Sequence, residues 1–243
     1  MTKKFVGSSG HGLKIRGAKH FIDEVDEARK VTNEVHRLLT TEYTGAGSVF
    51  HDNTSTTQNQ NLQTIVNYHN GQQRDLDWSI HFNAASVIDG PRGVEVLYYD
   101  EKDLSAKVSA AISKASGLKN RGAKQRTELY FLKNTTKPAI LLEICFVDSK
   151  ADVELYHRNF AAICAAIAEV FAAHLGYTKI QTEHTQKEEQ ITGAKVMFND
   201  VKTVNALIID GKMHVPVRDV ADLLGLKLIY NNESKTTKLY EVK

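Results

Sequence analysis

The chain has 243 residues, 42% hydrophobic and 25% charged, with 31 Lys and Arg against 29 Asp and Glu. That balance describes an ordinary globular protein, long enough for one good-sized domain and a small one. A formal charge of +2 argues against a nucleic-acid binder driven by phosphate neutralisation, though a local basic face toward an anionic surface stays open.

Residues 5–9 read as a first short strand, followed by GHG at 10–12. Residues 24–40 (EVDEARKVTNEVHRLLT) place Val25, Ala28, Val31, Val35, Leu38 and Leu39 three and four apart, which predicts a helix. The stretch 45–60 is rich in Ser, Thr, Asn and Gln and is expected to be an exposed loop. A second helix is predicted over 62–70, stopped by Gly71, and strands over 76–82 (LDWSIHF) and 93–99 (GVEVLYY). Residues 104–116 form a helix ending at Gly117, and 138–147 (PAILLEICFV) is the most strand-like segment. Asp148 or Ser149 then caps a long helix to Leu175, with Tyr156, Phe160, Ile163, Ile167, Val170 and Phe171 as its apolar stripe. Alternating strands and helices predict an α/β domain over residues 1–177, its sheet mostly parallel or mixed and flanked by helices.

A polar linker is expected over 178–192, and residues 193–243 read as a small β-rich α+β domain. Its turn signals are Asp210-Gly211 and Asn231-Asn232, with one short helix over 218–224. At about fifty residues such a module is marginal alone, so it is expected to dock on a neighbour or pair with a second copy, giving a homodimer. Cys145 and Cys164 lie in apolar segments and read as buried free thiols. The start, MTKKFVGSSGHG, has no apolar core of a signal peptide, and no run of about eighteen apolar residues suggests a membrane span. The chain is therefore expected to be made in the cytoplasm.

Four polar residues stand where apolar ones would be expected: His11 after the first strand, Glu24 opening the first helix, His81 late in SIHFNA, and Glu143 inside AILLEICFV. Taken singly, His11 is polar trim, Glu24 a first-turn acid that suits the helix dipole, and His81 a satisfied core histidine. Together, two histidines and one carboxylate make a three-ligand catalytic zinc set. A further carboxylate, Glu143, would move the proton, since a bare acid in an apolar strand is costly without a partner or a task. The other histidines (His20, His36, His51, His69, His157, His174, His184 and His214) read as surface residues.

These motifs resemble the zinc-dependent N-acetylmuramoyl-L-alanine amidases of the Amidase_3 class, found among bacterial autolysins and phage endolysins. GHG, EVDEARK from Glu24, SIHFNA at 79–84, GVEVLYY at 93–99 and LLEICFVDSKAD at 141–152 stand in the family's order across residues 5–177. The resemblance implies that His11, Glu24 and His81 bind zinc and that Glu143 is the catalytic acid/base. It implies peptidoglycan as the partner, cut between N-acetylmuramic acid and the L-alanine of the stem peptide. An endolysin of this kind would reach the wall after release through a holin. The family often reads GHGGxDxGA, whereas Leu13 and Ile15 stand here for its Gly and Asp, and Ser8 where an Asp is common. The tail from Val215 is similar to a small stalk domain found beside copper amine oxidase N-terminal regions. It implies no copper, and its role is expected to be wall binding. A zinc peptidase cutting within the stem, a cysteine hydrolase using Cys145 with His81 as base, and a non-catalytic wall-binding protein are the rival readings.

Overall fold

The computed structural model describes residues 2–180, 192–198, 202–209, 212–231 and 236–241. The chain divides into two compact units at Ile180. The first unit runs β1 (Lys4–Ser9), α1 (Glu24–Thr41), β2 (Ala46–Phe50), α2 (Gln58–Asn70), β3 (Leu76–Asn83), β4 (Val94–Tyr98), α3 (Lys102–Ser116), β5 (Asn120–Gln125), α4 (Tyr130–Asn134), β6 (Ala139–Phe146) and α5 (Lys150–Leu175). The strands form one sheet in the order β2-β1-β3-β6-β4-β5. The sheet is mixed: β4 and β6 run antiparallel and every other pair is parallel.

Local chemistry sets the helix starts. Asp23 caps α1 by accepting from the Val25 amide, and Glu24, Asp26 and Glu27 follow in a first turn that favours acids. Ser149 caps α5 by accepting from the Asp152 amide. The apolar stripes of α1, α3 and α5 then cover one sheet face. There Phe5, Trp78, Ile80, Phe82, Ile140 and Leu142 meet Val31, Val35, Ile112, Ile163 and Phe171 in the main core. The opposite face has a smaller cluster, where Leu97, Ala139 and Leu141 pack against Ile65 and Val66 of α2 and Phe131 and Leu132 of α4. These two helices have only 13 and 5 residues, and the late part of β3 and β6 on that face lines a cavity.

The structure departs from sequence expectation in four places. Residues 45–60 are not all exposed loop: β2 occupies 46–50, α2 starts at Gln58, and Asp52 between them is fully buried. Strand β5 and helix α4 were not foreseen, because NRGAKQ is too polar to read as a strand. His69 is no surface residue. It is fully buried and its Nδ1 lies 2.8 Å from Asp77 Oδ1, which the Arg74 guanidinium also holds. His51 is half-buried, between Ser9 Oγ and Asn33 Oδ1, each at 2.9 Å.

Helix α5 has the length and mean hydropathy (1.3) that could cross a membrane, although no run of consecutive apolar residues marks it. In this fold Ile163, Cys164, Ile167 and Phe171 on it belong to the core. Cys145 and Cys164 are both free and buried, as expected.

The second unit is β-rich. Strands β7 (Thr192–Phe198), β8 (Lys202–Ile209) and β9 (Lys212–His214) form one antiparallel sheet, α6 (Val217–Leu224) follows, and β10 (Leu226–Asn231) pairs with β11 (Thr236–Glu241) as a hairpin. Among its described residues only Val204, Ala206 and Ala221 are buried hydrophobics. The Asp210-Gly211 turn, residue Asn232, His184 and most of the expected linker lie outside the described residues.

Candidate metal centre

Four elements converge at one end of the sheet. Gly10 continues β1, its amide donating to the Ile80 carbonyl at 2.9 Å, and His11 follows. The Asp23 cap places Glu24 in the first turn of α1. Residues His81 and Glu143 are register partners across β3 and β6, and Glu143 pairs in turn with Glu95 on β4. Side-by-side partners share a face, so His81, Glu143 and Glu95 form one row on the less covered face.

His11, Glu24 and His81 each bring a ligand atom within 4.8 Å of the other two. Glu24 Oε1 is the hub, 3.4 Å from His11 Nε2 and 3.1 Å from His81 Nδ1. The Phe82 amide donates to the same oxygen at 3.1 Å, and the Ala18 amide donates to Oε2 at 2.8 Å. Burial of Glu24 opposes its charge, but the two imidazoles outweigh that and hold the carboxyl well below the usual carboxylate range. Burial pushes His81 below the ordinary imidazole value, against the pull of Glu24. An ionised carboxylate and a neutral imidazole are the forms that bind a cation. His11 Nδ1 is buried without a partner among the described residues. The donor set therefore fits a zinc ion, which takes His and carboxylate ligands and leaves a position open in catalytic sites.

Two glycines make this crowding possible. A Cβ on Gly10 would lie 1.9 Å from the His81 ring, and one on Gly17 would lie 2.4 Å from Glu24 Oε2. Gly17 also has φ +68°, where other residues are strained.

Glu143 opens with His11 and His81 onto a cavity of about 340 Å³. Its Oε2 is buried with no hydrogen-bond partner among the described residues. Burial, followed by the charges of Glu24 and Glu95, pushes its pKa up to about 8, while Arg126 pulls the other way. Glu95 differs because its carboxylate is fully engaged. Asn83 Nδ2 donates to Oε1 at 3.0 Å, and Arg121 and Lys124 each reach Oε2 at 2.6 Å. Arg16, paired with Asp23 and Asp26, ties the loop after His11 to the start of α1.

Cys145 does not join this row. The β3–β6 register shifts between His81 and Asn83, so Asn83 faces Phe146 and Cys145 turns into the main core. Burial raises its thiol pKa well above the ordinary value. Simple alternation would have put Cys145 on the face of Glu143, and the bulge is what removes it.

A family model, N-acetylmuramoyl-L-alanine amidase, matches residues 8–172. The chain belongs to this amidase family. It is 34% identical over 163 residues to an uncharacterised Clostridium perfringens protein, a match covering 64% of this chain and 47% of that one. An endolysin of Bacillus phage SPP1 is 29% identical over 170 residues, covering 65% and 60%. The chain thus spans about half the length of the Clostridium perfringens relative it matches. Among solved structures, the catalytic domain of the CD27L endolysin targeting Clostridia difficile superposes with a TM-score of 0.64 over 70% of this chain and 97% of that one, at 23% identity. That likeness concerns the fold.

Sequence reasoning did not single out Asp52, Asn61, Glu95 or Arg126, which shape or line the cavity. Asp52 accepts from the Thr54 and Ser55 amides and from Asn61 Nδ2, and its carbonyl accepts from the Leu13 amide beside the His11 loop. An acid in an apolar strand was the signal that exposed Glu143, and VEVLY carries the same signal at Glu95.

Proposed function

We propose that this chain is a zinc-dependent peptidoglycan amidase that cuts the bond between N-acetylmuramic acid and the L-alanine of the stem peptide. The observation that carries this reading is the convergence of His11, Glu24 and His81 on one point, with the unpaired Glu143 opening onto the same cavity. His11, Glu24 and His81 would hold the zinc ion, which when bound supplies Lewis acidity toward a carbonyl and toward water. Glu143 does the proton work. Its Oε2 has no competing partner among the described residues, so the carboxylate can take the proton from the attacking water and pass it to the departing amide nitrogen. Gly10 and Gly17 keep side chains out of the space that the ligands need.

The likeness to the endolysin of Bacillus phage SPP1 supports an endolysin role. For the second unit we propose wall binding or pairing with a second copy, on the strength of the few buried hydrophobics among its described residues and its exposed Met197, Leu224, Tyr230 and Tyr240.

The test is clearing of purified peptidoglycan by the full chain, with EDTA, with EDTA followed by zinc, and with Glu143→Ala. Clearing should stop with EDTA, return with zinc and be absent in the variant. Product analysis should show a new L-alanine amine with cross-links intact. New amines further along the stem would instead mean a peptidase, and clearing that survives chelation would overturn the metal reading.

A further inference from the structure

We infer that Arg126 is a specificity residue that binds a carboxylate on the peptide arm of the substrate, so that stems with a free α-carboxylate on their second residue are preferred over amidated ones. The inference rests on the amidase reading above and deepens it.

The charges around the cavity carry the argument. Its ionisable lining among the described residues is His11, His81, Glu95, Glu143, Arg126 and Tyr130. Glu95 is neutralised by Arg121 and Lys124, and Glu143 is an unpaired carboxyl. Among the described residues on that lining, Arg126 is the side chain that stays cationic at every working pH. The backbone of Arg126 is fixed at the edge of the sheet, its amide donating to the Tyr98 carbonyl at 2.8 Å. Its Nε meets the exposed carboxylate of Glu128, while Nη1 and Nη2 hold no hydrogen bond among the described residues. Arg126 already grips one carboxylate and keeps the outer edge of its planar fork open, the geometry suited to a second. It also lies close enough for its charge to act on Glu143. Apolar Ile65, Leu97, Leu129 and Leu141 fill out the wall between. Arg126 shares this cavity with Glu143 and the candidate metal ligands His11 and His81, so the carboxylate it meets belongs to the part of the arm nearest the scissile bond. In a γ-linked stem the first carboxylate along the arm is the α-carboxylate of the second residue.

The experiment compares two synthetic N-acetylmuramoyl tripeptides, both amidated at their C-terminus. One has D-glutamate and the other D-isoglutamine at the second position, so they differ in a single carboxylate. Zinc-loaded full chain should turn over the D-glutamate substrate with a KM about tenfold lower, the value of one charge-assisted contact. Arg126→Gln should erase that ratio through KM with kcat retained, Arg126→Lys should keep part of it, and Glu128→Gln should hold or widen it. Binding of the two released tripeptides, measured by calorimetry, should show the same ratio whether or not turnover is seen. Equal KM and equal binding in the unmodified chain would overturn the inference, as would a preference that survives Arg126→Gln. Failure to cleave either substrate, with the binding ratio intact, would count against the amidase reading alone.

Discussion

The two faces of the six-stranded sheet are built from the same strands and serve different ends. In β3 and β6, Ile80 and Leu142 point into a core closed by three long helices, while His81 and Glu143, one residue along, point to a face that two short helices leave partly open. The first face holds the fold together through apolar burial. The second carries an unpaired carboxyl and a crowded set of donors, neither of which favours stability on its own. Residues adjacent in sequence should thus respond to substitution in opposite ways.

The sharpest contrast is between Glu143 and Leu142. Glu143→Gln is expected to lower turnover by about 10³-fold, in the range of lost proton transfer, while Tm stays level or rises because a buried unpaired acid is gone. Leu142→Ala is expected to cost about 3 kcal/mol of stability and to leave the kcat of the folded enzyme within a few-fold. Denaturant melts and peptidoglycan assays of the two variants side by side check both. If Glu143→Gln melts far earlier, or Leu142→Ala loses turnover while folded, the division between the faces fails.

A smaller effect is expected at Gly10. Because a Cβ there would lie 1.9 Å from the His81 ring, Gly10→Ala should weaken zinc binding by about thirtyfold, within the range seen when groups supporting a metal ligand are disturbed. Equilibrium competition with a zinc chelator measures it, and unchanged affinity would mean that the ring can move aside.

The smallest concerns pH. His69, buried against Asp77, has its pKa lowered chiefly by burial. The unfolded chain then binds this proton more readily than the folded one. The stability held above about pH 6.5 is lost as pH falls toward the lower folded value, at no more than about 1.4 kcal/mol per pH unit. Melting His69→Gln beside the unmodified chain between pH 7 and pH 5 should show a flatter decline in the variant.

The closed face was the more legible in sequence. The three- and four-residue spacing in α1 and α5 and the apolar runs around Ile80 and Leu142 announce it, because burial demands periodicity. On the open face the residues that break a pattern were legible too: His11 between glycines, and Glu143 among leucines and isoleucines. What stayed hidden is what depends on long-range pairing. Strand β5 is polar because its side chains serve Glu95 across the sheet rather than a core. Asp52 is buried by hydrogen bonds within a stretch whose composition reads as loop. The bulge that removes Cys145 from the site exists only in the register between β3 and β6.

The most direct test of the central claim is a zinc titration of the chelated full chain, set beside its His81→Ala and Glu143→Gln variants and followed by turnover of each zinc-loaded sample. The expected result is one tightly bound zinc in the unmodified chain and in Glu143→Gln, its loss in His81→Ala, and turnover in the unmodified chain alone. Equal zinc binding by His81→Ala, or turnover by Glu143→Gln, would contradict the account.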